Sequence, residues 1–342
     1  MLKEKRFLLF IILLVCIGLF VASVNAAAAK YTFKFADTAK YSSPDKPPLN
    51  STEVGARMFK KLVEENSNGE IEVQLYGGGV LGSDVDVLEN VRAGSIAICF
   101  SSASNATAFV PELAFFGLNY LFKDYNHIIR ALYDNKKILN ILGQKISERQ
   151  DTLKLLALTF SGNRNLYNRI RPIYNVEDVK GLKIRVMAAP IEAKVWSAVG
   201  ALPASIASTE LYSALQAGVV DGGESSMSYI YAEKYYEVAP YIALTGHKYN
   251  VIVVVMNQKI FEELPTELQE VVQEAADEAF LQQIVASEEI ENEVIKKLKE
   301  MPGVTFTEPE IEGFMEKVVP LIEELAKELG VTEINEIIKS TK

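Results

Sequence analysis

Apolar and polar positions in the first hundred residues change their period along the chain. Segments that alternate apolar and polar side chains are typical of β-strands, and segments with apolar side chains three or four positions apart are typical of amphipathic helices. The predicted strands are residues 31–35, 71–76 and 96–100, and the predicted helices are residues 51–65 and 84–92. Because short strands alternate with helices, the pattern predicts an α/β fold with largely parallel strands.

The same alternation resumes after a predicted helical region around residues 127–149. Predicted strands follow at residues 153–160, 182–187 and 219–222, and predicted helices at residues 191–199 and 209–217. In each half a helix ends on an Ala-Gly pair, Ala93-Gly94 and Ala217-Gly218, and runs into an apolar strand. Glycine at that place supplies the left-handed conformation that ends a helix. Any two helix-to-strand turns would share this feature, but the pattern also fits two lobes of similar build.

One predicted helix is much longer than the others. Residues 265–301 contain no glycine or proline between their ends, and apolar side chains recur along them. At 1.5 Å per residue such a helix would extend roughly 50 Å, which exceeds one small domain. We therefore expect it to bridge two lobes; a coiled coil is the alternative, but the apolar spacing is not a sustained heptad. The tail, residues 311–342, predicts one or two further amphipathic helices.

The N-terminus has the pattern of a secretory signal peptide. Basic side chains at Lys3, Lys5 and Arg6 precede an apolar run at residues 7–21, and small residues follow it. This order predicts cleavage after about residue 26 and a soluble mature protein in the periplasm or another extracytoplasmic space. An uncleaved anchor helix is the alternative, but the apolar core is shorter than the ~20 residues that a membrane span prefers.

Composition and charge narrow the possible classes of protein. The chain has 342 residues, of which 49% are hydrophobic and 23% are charged, a globular balance whose length suggests about two domains. Its formal net charge is −10, and because nucleic acid repels acidic surfaces, no nucleic-acid partner is expected. Cys16 lies in the predicted signal peptide, which leaves Cys99 alone in an apolar run. We expect a buried, inert thiol there and no intramolecular disulfide.

The sequence lacks the signatures of common enzyme and metal sites. Its 2 histidines, His127 and His247, are far apart and have no cysteine or histidine neighbours, so no zinc site is expected. The glycine-rich residues 77–83 lack the Lys-Ser/Thr ending of a phosphate-binding loop. The chain also has no Gly-x-Ser-x-Gly motif. We therefore expect no metal, no cofactor and no enzymatic activity.

Two arginines lie in or just after predicted strands of the second half. Arg185 belongs to the strand at residues 182–187, and Arg164 lies just past the strand that ends at Phe160. Ligands of open α/β sheets bind outside the carboxyl ends of the strands, and a guanidinium can hold a carboxylate through two parallel hydrogen bonds. A bound carboxylate is one interpretation of both residues. A structural ion pair or a solvated strand end is the other.

Several motifs occur in the order that is found in one family. Residues 178–186 (DVKGLKIRV) and 210–224 (ELYSALQAGVVDGGE) resemble the signature of solute-binding proteins of tripartite ATP-independent periplasmic (TRAP) transporters. Four short motifs fall in matching order: Leu81-Gly82, Ala93-Gly94, Gly162-x-Arg164 and Thr245-Gly246-His247. The resemblance implies a periplasmic-binding-protein-like α/β fold, with two lobes joined by crossing strands and a long helix. It also implies an organic anion between the lobes and a sodium-driven membrane permease as partner.

The resemblance implies roles for individual residues as well. Arg185 would make the main salt bridge to the ligand carboxylate, and Arg164 would lie near the same group. Positions that differ from the sialic-acid-binding members are Ser225, which follows Glu224, and Ser102, Ser208 and Ala188. These departures count against sialic acid and favour a smaller or less hydroxylated keto, hydroxy or dicarboxylic acid, or a sugar acid bound by different groups. The candidate site residues are Arg185, Arg164, Glu224, Ser225, Ser208, Ser102, Asn163, Thr38 and Tyr229.

The sequence is therefore expected to fold into a solute-binding protein with two lobes. Residues 27–161 with about 250–285 would form lobe I, and residues 162–249 with about 286–342 would form lobe II. The protein would bind a small organic acid outside the cytoplasm and deliver it to TRAP permease subunits. An exported ligand-sensing protein and an exported enzyme that acts on an organic acid in the cleft are the alternatives.

Overall fold

The computed structural model describes residues 29–149 and 152–341, so the predicted signal peptide lies outside the described residues. The strands are β1 Tyr31–Ala36, β2 Ile71–Tyr76, β3 Ile98–Ser102, β4 Leu153–Asn168, β5 Lys183–Val186, β6 Leu202–Ser205, β7 Gly222–Ser226, β8 Tyr241–Asn257 and β9 Thr305–Thr307. Together they form one mixed sheet in the order β2-β1-β3-β8-β4-β7-β5-β6, with β9 paired to β8.

Twelve α-helices of the described residues pack around this sheet. They are α1 Ser51–Asn66, α2 Asp84–Ala93, α3 Tyr125–Tyr133, α4 Lys137–Glu148, α5 Pro190–Ala198, α6 Leu211–Ala217, α7 Met227–Ala232, α8 Gln258–Glu262, α9 Thr266–Lys299, α10 Glu312–Val318, α11 Pro320–Glu328 and α12 Thr332–Ser340. None of these helices is long and apolar enough to cross a membrane.

The sheet consists of two parallel units that antiparallel strands join at the centre. In the first unit β1 pairs with β2 and β3, and in the second unit β5 pairs with β6 and β7. β4 and β8 run antiparallel to each other, and β8 also pairs with β3 and β4 with β7. The predicted α/β fold with two lobes and crossing strands is confirmed. The expectation of largely parallel strands is correct for the two units and wrong for the centre.

The local pattern missed elements whose conformation depends on pairing. The strand predicted at residues 219–222 lies instead at β7, which consists of glycine, glutamate and serine residues. These residue types have low strand propensity, so its neighbours β4 and β5 hold it extended. β4 continues well past Phe160 to Asn168, and β6 and β8 had no predicted counterpart. The predicted helical region at 127–149 is two helices, α3 and α4, and the tail contains three.

Helix α9 spans both halves of the molecule, as its length predicts. Its N-terminal part, including Val272 and Phe280, packs into a core with α1. Rings of Phe59 on α1 and Phe280 on α9 stack with their centroids 5.7 Å apart. The C-terminal part, including Val294 and Leu298, packs into a different core beside the second parallel unit. Between these two parts, Ile284 packs into a further core, so one continuous helix contributes to three hydrophobic cores.

Two local features agree with their sequence signals. Helix α2 begins with a capping box, in which the Ser83 and Asp86 side chains bond each other's backbone N–H groups, and ends at Gly94 in the left-handed conformation. Cys99 is free and buried in the sheet, where burial raises the pKa of its thiol. A thiol that stays protonated is a poor nucleophile, which agrees with the predicted inert cysteine.

Candidate functional site

A cavity of about 50 Å³ lies between the two parallel units. It forms where strands of both units end: Thr38 follows β1, Ser102 ends β3, Arg185 lies near the end of β5 and Ser225 near the end of β7. This position, at the carboxyl ends of parallel strands from two units that face each other, is where open α/β sheets bind ligands.

Eight of the nine candidate residues line this cavity. They are Arg185, Arg164, Glu224, Ser225, Ser208, Ser102, Thr38 and Tyr229. Asn163 does not line it. Asn163 and Arg164 are neighbours on β4, and successive side chains of a strand leave on opposite faces. The Asn163 amide lies instead beside Gly246 on β8, so the structure separates Asn163 from the other candidates.

Arg164 is committed to a protein carboxylate. Its Nε and Nη2 atoms donate to the two carboxylate oxygens of Glu224, and Nη2 also donates to the Glu224 backbone carbonyl. Burial disfavours the charged form of Glu224, but the attraction of Arg164 and Lys248 outweighs it and holds the pKa of Glu224 well below its usual value. Glu224 is therefore an anion whose main partner is Arg164.

Further buried charges extend this network and balance it. Lys248 Nζ lies 2.7 Å from each carboxylate oxygen of Glu192 and 3.9 Å from Glu224 Oε2. His247 Nε2 lies 3.3 Å from the same oxygen of Glu224, and burial lowers the pKa of His247, which keeps its ring neutral. Two cations, Arg164 and Lys248, therefore face two anions, Glu224 and Glu192. Buried charges need such pairing because desolvation of an unpaired one is costly.

Arg185 differs from Arg164 because it has no protein carboxylate as partner. It is 5% exposed, and its Nε donates to the backbone carbonyl of Ile206 at 2.7 Å. Within residues 29–149 and 152–341 it makes no ion pair within 4.0 Å. No hydrogen bond joins its terminal guanidinium nitrogens to another described residue, and a ligand carboxylate could bond both of them.

The sequence did not indicate two acidic residues of the cavity wall, Asp37 and Asp84. Asp84 is the first residue of α2, where acidic side chains are common in any helix because the helix dipole favours them. Burial raises its pKa, and the charge of Arg185 opposes that shift. Asp37 directly follows β1, and burial raises its pKa to about 6. The position of Asp37 at a strand's carboxyl end is the signal that could have identified it.

Glu291 on α9 fixes the segment that carries Tyr229. Its carboxylate accepts the backbone N–H groups of Met227 at 2.7 Å and Ser228 at 2.9 Å, at the start of α7. Gly162 in β4 has a φ of 98°, and a Cβ there would lie 2.9 Å from Cδ of Glu291. Because Gly162 has no side chain, the carboxylate of Glu291 has room beside β4 to bond the start of α7.

Comparisons with known proteins give the family. The model of bacterial extracellular solute-binding protein family 7 (DctP) matches residues 43–329. A solute-binding protein of Sulfitobacter sp. (strain NAS-14.1) is 34% identical over 83% of this chain and 86% of its own length.

Two solved structures extend the likeness to the fold. The sugar acid binding protein DctPAm from Advenella mimigardefordensis strain DPN7T, in complex with galactonate, has a TM-score of 0.83 at 28% identity and covers 92% of this chain and 99% of its own. A TRAP periplasmic solute-binding protein from Sulfurospirillum deleyianum DSM 6946, with bound succinate, has a TM-score of 0.81 at 26% identity and covers 92% of this chain and 100% of its own.

Fold and cavity define a periplasmic solute-binding protein of the two-lobed type. The chain belongs to bacterial extracellular solute-binding protein family 7, the DctP family. Proteins of this family bind solutes for TRAP transporters and are not enzymes, so the expectation that this chain has no enzymatic role is confirmed. The expectation of a carboxylate-binding transport component is confirmed at the level of the class.

Proposed function

We propose that this protein is the solute receptor of a TRAP transporter and that Arg185 anchors the carboxylate of its ligand. The observation that supports this most directly is the difference between the two cavity arginines. Glu224 neutralises Arg164, whereas Arg185 is buried, donates from Nε to a backbone carbonyl and forms no ion pair within 4.0 Å in the part of the chain that the structure describes. The charge of Arg185 acts on Asp84, but no carboxylate of the described residues lies within 4.0 Å of its guanidinium. A small organic acid would supply that direct contact.

The remaining candidates support a ligand site of mixed character. Thr38, Ser102, Ser208 and Ser225 offer hydroxyl groups around the cavity, and Tyr229 also lines it. Arg164 and Glu224 would stabilise the cavity wall and would not bind the ligand, because their side chains form an ion pair with each other. Keto, hydroxy, dicarboxylic and sugar acids all carry the carboxylate that Arg185 requires.

The ligand would lie between lobes built from the two parallel units. We assign residues 27–161 with about 250–285 to lobe I and residues 162–249 with about 286–342 to lobe II, with β4, β8 and α9 as connections. Contacts between the lobes, such as the bond from Ser208 Oγ to Asp84 Oδ2 at 3.2 Å, fit a closed form of a hinged binder. Release would require these contacts to open at the membrane permease, the partner that we propose for the loaded form.

Export by the N-terminal signal peptide completes the proposal. The peptide at residues 1–26 would direct the protein across the membrane to the space where the permease meets its receptor. N-terminal sequencing of protein recovered from the extracytoplasmic fraction should begin after about residue 26. Recovery of the uncleaved chain in the cytoplasmic fraction would contradict this part of the proposal.

Replacement of Arg185 tests the site. Wild-type protein is titrated calorimetrically with pyruvate, lactate, succinate and D-gluconate, one probe for each acid class. At least one acid should bind, and Arg185→Ala should weaken that binding roughly 100-fold or more, because hydrogen bonds to charged groups each contribute about 1.5 to 3 kcal/mol. Arg169→Ala, at an exposed position, is the matched control and should bind like wild type. Unchanged affinity in a folded Arg185→Ala protein would overturn the assignment.

A further inference from the structure

The glycine-rich loop at residues 77–83 lies where the two proposed lobes meet. It joins β2 to α2, and its Gly78 borders a pocket of about 140 Å³ that Thr209 and Glu233 line from the other lobe. Four side chains line both this pocket and the cavity described above: Thr38, Ser208, Tyr229 and Tyr235. The loop lacks the Lys-Ser/Thr ending of a phosphate-binding loop, and its location on the rim of the cavity points to a role in closure.

Backbone hydrogen bonds fix this loop to lobe I. The N–H of Gly78 donates to the carbonyl oxygen of Ala39 at 2.6 Å. The N–H of Gly79 donates to the carbonyl oxygen of Asp37 at 3.1 Å, and the Gly79 carbonyl accepts from the N–H of Gly82 at 3.1 Å. Ala39 and Asp37 belong to the segment that follows β1. The loop after β2 is therefore bonded to the loop after β1, and it would move together with lobe I when the lobes open.

Gly79 is the point at which this loop touches lobe II. Thr209 belongs to a short 3-10 helix of that lobe, Ser208–Glu210, and a Cβ at residue 79 would lie 2.6 Å from its Cγ2 atom. Carbon atoms in favourable contact are about 3.5 to 4.0 Å apart, so no side chain fits between the two. Beyond the neighbouring residues, the one other described atom within 4 Å of that Cβ is the Gly82 carbonyl oxygen, at 3.6 Å. The backbone of Gly79 therefore packs directly against the Thr209 methyl group.

Two polar contacts between the lobes lie on the same rim. Ser208 Oγ donates to Asp84 Oδ2 at 3.2 Å, and Lys40 Nζ lies 2.8 Å from Glu233 Oε2. A long lysine or glutamate side chain can follow a small movement of one lobe by a change of rotamer. The contact at Gly79 has no such freedom, because one side is backbone and the other is a β-branched side chain that is stiff at χ1. This packing contact therefore limits how closely the lobes approach.

We propose that the contact of Gly79 with Thr209 sets the closed position of the two lobes, so that Gly79 is a positioning residue for ligand binding although it does not line the cavity. This inference rests on the proposed function, because it requires a ligand that is held between the lobes. A side chain at residue 79 would hold the lobes apart at the rim, and a ligand bound from both sides would lose contacts.

The steric penalty of such a side chain falls on one conformation only. The open form separates residue 79 from Thr209, so an added methyl group costs nothing there beyond the local backbone strain. The closed form carries the full clash, and affinity for a ligand that needs this form falls with its population. Ligand affinity is therefore expected to change where the stability of the ligand-free protein does not.

Gly79→Ala tests this inference in the full mature protein, and Gly78→Ala is its matched control. Both residues have a positive φ, 67° at Gly79 and 75° at Gly78, so alanine meets similar backbone strain at each. At Gly78 the new Cβ meets only Lys40 Cγ, at 3.9 Å. Calorimetry uses whichever of pyruvate, lactate, succinate and D-gluconate binds wild type most tightly. Gly79→Ala should bind that acid at least about 5-fold more weakly than Gly78→Ala does.

A change at Thr209 separates the clash between lobes from strain within the loop. Thr209→Ala removes Cγ2, and the methyl group at residue 79 then meets only the Gly82 carbonyl oxygen at an ordinary distance. In the Thr209→Ala background, Gly79→Ala should therefore weaken binding no more than Gly78→Ala does, as expected for residues in direct contact. Gly79→Ala that binds like Gly78→Ala would overturn the proposal, and so would a loss that Thr209→Ala does not relieve. Lower thermal stability of ligand-free Gly79→Ala than of Gly78→Ala would also overturn it.

A measurement without ligand separates this proposal from the one on which it rests. Lys40→Cys and Glu233→Cys are combined, and a short bis-maleimide joins the two thiols when the rim is closed, while Cys99 is buried and stays unreacted. Gly79→Ala should lower the crosslinking rate below that of Gly78→Ala, and Thr209→Ala should restore it. Equal rates in all variants would overturn the closing contact. Wild-type protein that binds none of the four acids would overturn the carboxylate site instead, and the crosslinking rates would still decide the role of Gly79.

Discussion

The guanidinium of Arg164 is bound on two nitrogens by the carboxylate of Glu224, across adjacent strands in which Arg164 pairs with Ser226. Both residues line the cavity, but their charges neutralise each other. The two cavity arginines therefore differ in their partners and in their positions, since Arg164 lies within β4 and Arg185 lies beside the last residue of β5. Arg164 binds a protein carboxylate in the cavity wall, whereas Arg185 forms no ion pair within 4.0 Å among the described residues, and this difference supports the role that we propose for Arg185.

Removal of the Glu224 charge should destabilise the fold. Glu224→Gln leaves Arg164 buried without an anion, and breaking one side of a buried ion pair costs about 3 to 5 kcal/mol. Urea unfolding followed by circular dichroism should show a correspondingly lower free energy of unfolding. The Glu89→Gln change, at an exposed position on α2, should leave it within about 0.5 kcal/mol of wild type. An unchanged unfolding midpoint for Glu224→Gln would show that Arg164 finds another anion.

Glu291 should make stability depend on pH. Burial raises its pKa to about 7, despite the opposing hydrogen bonds from Ser228 and Met227. Because the folded-state pKa lies above the unfolded one, near 4.3, Glu291 stabilises the fold fully below about pH 4 and loses that contribution as pH rises to about 7. The magnitude is about 4 kcal/mol, from 1.36 kcal/mol per pKa unit.

The variant Glu291→Gln isolates this effect. It does not titrate, so the difference in free energy of unfolding between wild type and variant should shift against wild type as the pH rises from 4.5 to 8. Urea unfolding at five or six pH values measures that difference. A difference that stays constant with pH would mean that Glu291 has an ordinary pKa in the folded protein.

A methyl group at Gly162 should disturb the contact between β4 and α9. Its φ of 98° is unfavourable for alanine, and the new Cβ would lie 2.9 Å from Cδ of Glu291. Gly162→Ala should therefore cost at least about 2 kcal/mol of stability. The matched control is Gly143→Ala in α4, where a Cβ meets nothing within 4 Å and alanine should stabilise the helix by about 0.5 to 1 kcal/mol. Equal effects of the two changes on the thermal midpoint would contradict this role of Gly162.

An ion pair between the proposed lobes, beside the cavity residues Thr38 and Tyr229, should favour closure. Lys40 Nζ, in the loop after β1, lies 2.8 Å from Glu233 Oε2, at the end of α7. The pair is partly exposed, so Lys40→Ala should weaken ligand binding only about 2- to 5-fold, with the loss disappearing at high salt. Lys194→Ala removes an exposed pair with Glu324 inside the second half and should not change ligand affinity. If Lys40→Ala weakens ligand binding equally at 1 M salt, the ion pair does not act through electrostatic attraction.

The sequence determined the class of the fold and most of the residues at the site. Apolar periodicity located the outer strands, helix α9 and the ends of α2 because those signals are local: alternation, helical spacing, capping residues and glycine at a helix end. The motifs around Arg164, Arg185 and Glu224 indicated the family, and the structure brings these three residues to one cavity.

Only the tertiary structure decided which partners these residues have. β7 has no local strand signal, and its pairing with β4 is what places Glu224 against Arg164. Asp84 looks like an ordinary helix start in the sequence, and it becomes a cavity residue because packing brings the start of α2 opposite the second parallel unit. Partners, burial and the balance of charge arise from contacts between distant parts of the chain, and local sequence patterns carry no information about which distant groups will meet.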